Sequence, residues 1–129
     1  MSLIPDSHLD LLTRPLCGHL ATRRDDGSLQ VTPMWFSYDG TDLSFTTTST
    51  RRKYRNLEQD PHLSVSINDP DQPYRYLEVR GVVAGIDPDP TGAFFDTLAR
   101  RYGLPYDPPV ADAADRVVIR MRPTAISKQ

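Results

Sequence analysis

Leu43-Ser44-Phe45-Thr46-Thr47-Thr48-Ser49-Thr50-Arg51-Arg52-Lys53-Tyr54-Arg55 is the stretch on which the reading of the fold turns. Its first half is rich in threonine and spaces Leu43 and Phe45 two apart, which favours a strand over a helix. From Thr50 the pattern becomes helical, with Tyr54 and Leu57 three apart, and Asp60-Pro61 stops it after Gln59. Four basic residues, Arg51, Arg52, Lys53 and Arg55, crowd the first turns of that helix. A helix N-terminus already carries partial positive charge, so each exposed cation there costs about 0.3–1 kcal/mol. A bound phosphate would offset that cost. It could accept hydrogen bonds from free backbone N–H groups, from the hydroxyls of Thr47, Ser49 and Thr50, and from Arg51 and Lys53. The competing reading is a solvated basic turn balanced by Glu58 and Asp60.

Strand signals accumulate on both sides. Asp39-Gly40 marks a tight turn, residues 29–38 alternate as the preceding strand, and Asp26-Gly27 joins that strand to another over residues 16–24. Three antiparallel strands in a meander are therefore predicted. A short helix over residues 7–14, capped by Asp6 or Ser7 and ended by Pro15, places Leu9, Leu11 and Leu12 on one side. Downstream, His62–Asn68 turns Leu63, Val65 and Ile67 inward, and a long strand follows over residues 74–86. An amphipathic helix over residues 91–102 puts Phe94, Phe95, Leu98 and Tyr102 on its core side. A loop rich in proline and aspartate leads to a final strand over residues 116–126, and the prolines fall almost wholly between elements. Six short antiparallel strands with three small helices predict a mainly β, closed or partly closed barrel, because closure removes exposed sheet edges.

Composition bounds the function. A chain of 129 residues fits a single domain spanning 1–129. The net charge of −2 gives no global attraction to nucleic acid or an anionic membrane, so any anion site is local. No apolar run approaches a membrane span and no leader pattern opens the sequence, so a cytoplasmic protein is expected. The lone Cys17 reads as a packed strand residue. His8, His19 and His62 lie in separate elements without metal-ligand spacing, so no metal is expected. There is no G-x-S-x-G elbow and no G-x-G-x-x-G after a strand, which disfavours a hydrolase and a Rossmann nucleotide site. No catalytic acid, base or nucleophile stands out. Only Lys53 and Lys128 among 15 basic residues are lysine, and only Glu58 and Glu78 among 17 acids are glutamate, a bias that points to GC-rich coding.

Gln30-Val31-Thr32-Pro33-Met34-Trp35-Phe36, the Asp39-Gly40 turn, the segment 46–55 continuing through Asn56-Leu57 to Asp60-Pro61, and Glu78-Val79-Arg80-Gly81 resemble the pyridoxamine-phosphate-oxidase-like split barrels. The resemblance spans residues 9–121. Within that superfamily the K-x-R-N-L-x-x-D-P spacing looks most like the actinobacterial reductases that use the deazaflavin coenzyme F420.

The resemblance implies a six-stranded antiparallel split β-barrel of the FMN-binding type. Gln30, Thr32, Pro33 and Met34 would line the cofactor ring. Thr46, Thr47 and Thr48 would meet the ring edge and ribityl chain, with Ser49, Arg51 and Lys53 at the phosphate. It also implies a homodimer with cofactor sites at the interface, bringing Tyr74, Tyr76 and Arg116 of the partner towards the cofactor. Trp35 reads either as core or as part of a substrate pocket. Glu78 and Arg80 read as a charge pair across strands.

The expected function is an oxidoreductase in which reduced F420 gives hydride to an electron-poor small molecule. An FMN-dependent oxidase or reductase is the alternative, and a non-catalytic F420 or flavin binder is a third reading. Pyridoxamine phosphate oxidation itself is disfavoured, because a substrate phosphate calls for a second cationic cluster.

Overall fold

The computed structural model describes residues 3–129. Seven antiparallel strands form one sheet: β1 (Gly18–Arg23), β2 (Leu29–Met34), β3 (Phe36–Tyr38), β4 (Leu43–Thr48), β5 (His62–Asn68), β6 (Tyr76–Pro88) and β7 (Arg116–Lys128). Three helices, α1 (Asp10–Thr13), α2 (Arg52–Gln59) and α3 (Ala93–Arg101), lie between them.

The seventh strand arises where one was expected. Residues 29–38 do alternate, but the ladder breaks at Trp35, so β2 pairs with β1 while β3 pairs with β4. The order across the sheet is β2-β1-β5-β6-β7-β4-β3. Its two end strands are thus one stretch of chain divided by a single residue. The predicted meander is kept in its pairings but its middle strand is divided, and the sheet curls, as the expected barrel requires, until its ends meet at Trp35.

Two bulges in the long β6–β7 ladder, at Arg80/Gly81 and Val83/Gly85, supply bending. At the first, a Cβ on Gly81 would stand 2.2 Å from the carbonyl oxygen of Arg122, so only glycine permits that approach. Pro123 sits opposite it in β7, and Pro33 lies in the end strand β2, where no outer neighbour needs its missing N–H. Pro33 and Pro123 thus lie within strands, as the predicted strand ranges already placed them.

The curled sheet encloses Leu20, Phe36, Leu43, Phe45, Val65, Ile67, Leu77, Val79, Ile119 and Met121, all buried. Leu11 and Leu12 of α1 join them, whereas Leu9 stays exposed and Pro5, not Asp6 or Ser7, precedes the 3₁₀ turn Asp6–His8 without a side-chain cap. Cys17 is exposed just before β1, a correction to the packed position expected of it. Glu78 and Arg80 do pair, at 2.6 Å, but as neighbours on one strand. No helix among the described residues is long and apolar enough to cross a membrane.

Candidate functional site

The end of β4, the start of β7, the first turn of α2, the β2/β3 break and α3 converge around a cavity of about 300 Å³. Pairing brings the strands there, since Thr46, Thr47 and Thr48 face Val118, Val117 and Arg116 across the β4–β7 ladder. Pro33, Met34, Thr46, Thr47, Arg51, Lys53 and Arg116 line the cavity, and Trp35 and Phe95 complete it. Seven residues singled out from the sequence are thus gathered within one chain.

The cationic end has the character that the helix-dipole argument demanded. Lys53 is 8% exposed, and among the described residues neither it nor Arg51 makes an ion pair. Burial, then the neighbouring Arg51 and Arg116, hold the Lys53 ammonium below its ordinary value. The acids that could have balanced the turn are engaged elsewhere: Asp60 accepts from His62 at 2.7 Å, and Glu58 acts on the Tyr54 hydroxyl. α2 begins without a side-chain cap and with no acid in its first turn. Its buried face carries Lys53, Asn56 and Leu57, with Tyr54 half-buried beside them.

Arg116 is held differently. Its guanidinium forms a two-point pair with the Asp112 carboxylate at 2.9 and 3.2 Å, donates to Thr46 Oγ1 at 3.4 Å and lies 4.7 Å over the Phe95 ring. It therefore reaches the cavity of its own chain. The opposite wall is aromatic. Trp35 stacks on Tyr102 with centroids 5.1 Å apart and planes 6° from parallel, and Phe95 lies 5.8 Å from Trp35.

Other expected residues lie beside the cavity or away from it. Gln30 Oε1 accepts from Asn56 Nδ2 at 3.4 Å, and Thr32 is half-buried on β2. Thr48 shares a 2.9 Å hydroxyl contact with Thr50, while Ser49 N–H donates to Asp115 O at 3.0 Å. Tyr74 is exposed at a separate cavity with His8 and Arg75, and Tyr76 begins β6 with backbone bonds to Gln129. One chain does not bring either tyrosine to the cation cluster. Nothing in the sequence marks Phe95 or Asp112 as site residues, since the first is spaced as core and the second lies in an irregular loop.

An unpaired buried ammonium beside two guanidinium groups, in a cavity also lined by the aromatic rings of Trp35 and Phe95, fits a ligand that joins a phosphate to a planar ring. The lining contains no carboxylate, histidine or cysteine. Among the described residues no cluster of three or more such groups could hold a metal ion.

The chain belongs to the pyridoxamine 5'-phosphate oxidase family, whose sequence profile matches residues 4–129. The fold is the split barrel of that family, with seven strands in place of the six expected. Among solved structures it is similar to an F420 reductase from Mycobacterium smegmatis, at 57% identity and a TM-score of 0.95, over 98% of this chain and 100% of that one. It is also similar to a pyridoxamine 5'-phosphate oxidase homologue from Listeria innocua, at 23% identity and a TM-score of 0.71, over 95% of each chain. A conserved hypothetical protein from Mycobacterium tuberculosis matches at 25% identity and a TM-score of 0.74, over 98% of this chain and 85% of that one. Comparison with curated proteins gives no match. The first of these structures places the chain in the F420 reductase subgroup of the family.

Proposed function

We propose that the chain is an oxidoreductase that uses reduced F420 as hydride donor to an electron-poor small molecule. The observation that carries this reading is the cavity that the buried, unpaired Lys53 and the exposed, unpaired Arg51 line together with Trp35 and Phe95. The 57% identity to an F420 reductase over the whole of that chain supports the deazaflavin over FMN.

Arg51 and Lys53 would hold the phosphate, with the first backbone N–H groups of α2 completing its cradle. Thr46 and Thr47 would contact the chain between phosphate and ring, and Pro33, Met34 and Trp35 would flank the ring. Bound F420H2 would supply the hydride. The protein's part is to orient the ring, exclude water from one of its faces and neutralise charge. With no acid in the lining, a proton taken up by the product would come from solvent.

Two copies of the chain would share the work, with Tyr74 and Tyr76 of one approaching the cofactor of the other. Tyr74 is 85% exposed in the single chain and has no packing role there, which supports this arrangement.

Parallel titrations of the purified protein with F420 and FMN test the reading. Tight binding of F420 with weak binding of FMN is expected, followed by oxidation of F420H2 by a member of a quinone, enone and tetrapyrrole panel. Preference for FMN would replace the cofactor assignment. Tight F420 binding with no oxidation by any acceptor would make the protein a carrier of the coenzyme.

A further inference from the structure

Trp35 stands where the sheet changes partner, between β2 and β3, so no strand neighbour fixes its indole. The side chain that lies flat against it is Tyr102, just beyond α3. Tyr102 is fastened at its far end. Its hydroxyl contacts Leu16 O at 2.8 Å and Phe36 O at 3.3 Å, and accepts from Phe36 N–H at 3.2 Å. Phe36 is the first residue after the break, so the phenol takes the place of ladder bonds that the interrupted strand lacks.

Arg101 adds a second fastening. Its guanidinium donates to the carbonyls of Leu12, Thr13, Arg14 and Phe36 and lies 5.5 Å from the Tyr102 ring centroid. Tyr102 itself does not line the cavity.

We propose that Tyr102 is the positioning residue of the ring-binding wall: anchored to the backbone just before β1, at Leu16, and at the first residue of β3, Phe36, it holds the Trp35 indole at the angle that a planar cofactor ring or substrate stacks against. This rests on the reading of the cavity as a site for a planar ring joined to a phosphate. It gives the site two ends, a phosphate end set by α2 and a ring end set by α3 through Tyr102, with Arg116 lying between them over Phe95. A substitution at Tyr102 then lowers affinity for ring-bearing ligands whether or not they carry phosphate.

The protein contains one tryptophan, so indole fluorescence reports on Trp35 alone. Wild type, Tyr102→Leu, Trp35→Leu and the double variant are titrated with F420 and with its deazaflavin chromophore lacking the phosphate, and acrylamide quenching of Trp35 is measured in the ligand-free proteins. Tyr102→Leu is expected to make Trp35 more accessible to acrylamide and to weaken both ligands by the same factor, about 3–10-fold, the range of one aromatic stack. The double variant is expected to lose no more than Trp35→Leu alone, because Tyr102 acts through Trp35. Tyr102→Phe, which keeps the stacked face and the Arg101 contact but loses the hydroxyl anchor, is expected to melt at a lower temperature and to weaken both ligands by the same factor, smaller than that of Tyr102→Leu.

An unchanged acrylamide response, unchanged ring affinity, or a loss confined to the phosphate-bearing ligand would overturn the proposal. If wild type binds neither compound, the reading of the site fails instead, and the acrylamide comparison still decides whether Tyr102 fixes Trp35. Should Tyr102→Leu not fold, Tyr102→Met, which also lacks a ring face, carries the same test.

Discussion

Lys53 pays twice for its position, once for burial and once for the two guanidinium groups near it. Removing the charge should therefore separate stability from function. Lys53→Met is expected to stabilise the ligand-free protein by about 1 kcal/mol, since it removes an uncompensated buried charge. The same change is expected to weaken binding of the phosphate-bearing cofactor by about 1.5–3 kcal/mol, the value of a hydrogen bond to a charged group. Thermal melts and calorimetric titration read the two effects. The pH dependence has a definite sign. Because the folded chain holds the Lys53 proton less tightly than the unfolded chain, the penalty stands in full below the folded-state value. Stability of the free protein should then rise as pH climbs from there towards 10.5, and Lys53→Met should lose that rise. Melts across this interval check it. Lys53 was legible in the sequence because the electrostatic argument is local, resting on residues adjacent in the chain and on one helix end.

At the level of elements, α3 depends on a cap that does not look like one. Gly92, with φ of 72°, precedes the helix, and the carboxylate that receives Phe94 N–H and Phe95 N–H belongs to Asp89, three residues earlier and buried. Asp89→Ala is expected to cost about 1–2 kcal/mol in thermal or denaturant unfolding. It should also loosen Phe95, and with it the aromatic wall. The sequence shows Asp89 only as part of a proline-flanked interruption, because the chain turns before the cap is reached. The β2/β3 division was hidden for another reason. Met34 and Phe36 are two apart and both buried, so the period of alternation runs unbroken through Trp35. A period reports which face a residue takes, whereas the choice of pairing strand rests on residues far along the chain. Phe95 and Arg116 entered the site by the same non-local route, from elements whose local patterns read as core helix and strand start.

For the whole molecule, the two-copy arrangement makes a measurable demand. Light scattering is expected to give twice the 14.6 kDa mass of the chain, and Tyr74→Ala is expected to weaken cofactor binding although Tyr74 lies outside the cavity of its own chain. A monomer with unaltered Tyr74→Ala affinity would remove the partner from the site. The split at Trp35 also governs how the molecule comes to be. β1 waits for β5, and β4 has no neighbour besides short β3 until β7 arrives. Such distant pairings are slow to form, since the chain between them must be ordered before they reward it. β7 brings Arg116 with it, so ring closure and completion of the binding cavity are one event. A nascent chain still lacking β7 has its basic turn and its threonines in hand but no enclosed place for a cofactor, and competence to bind should emerge together with the slowest phase of folding.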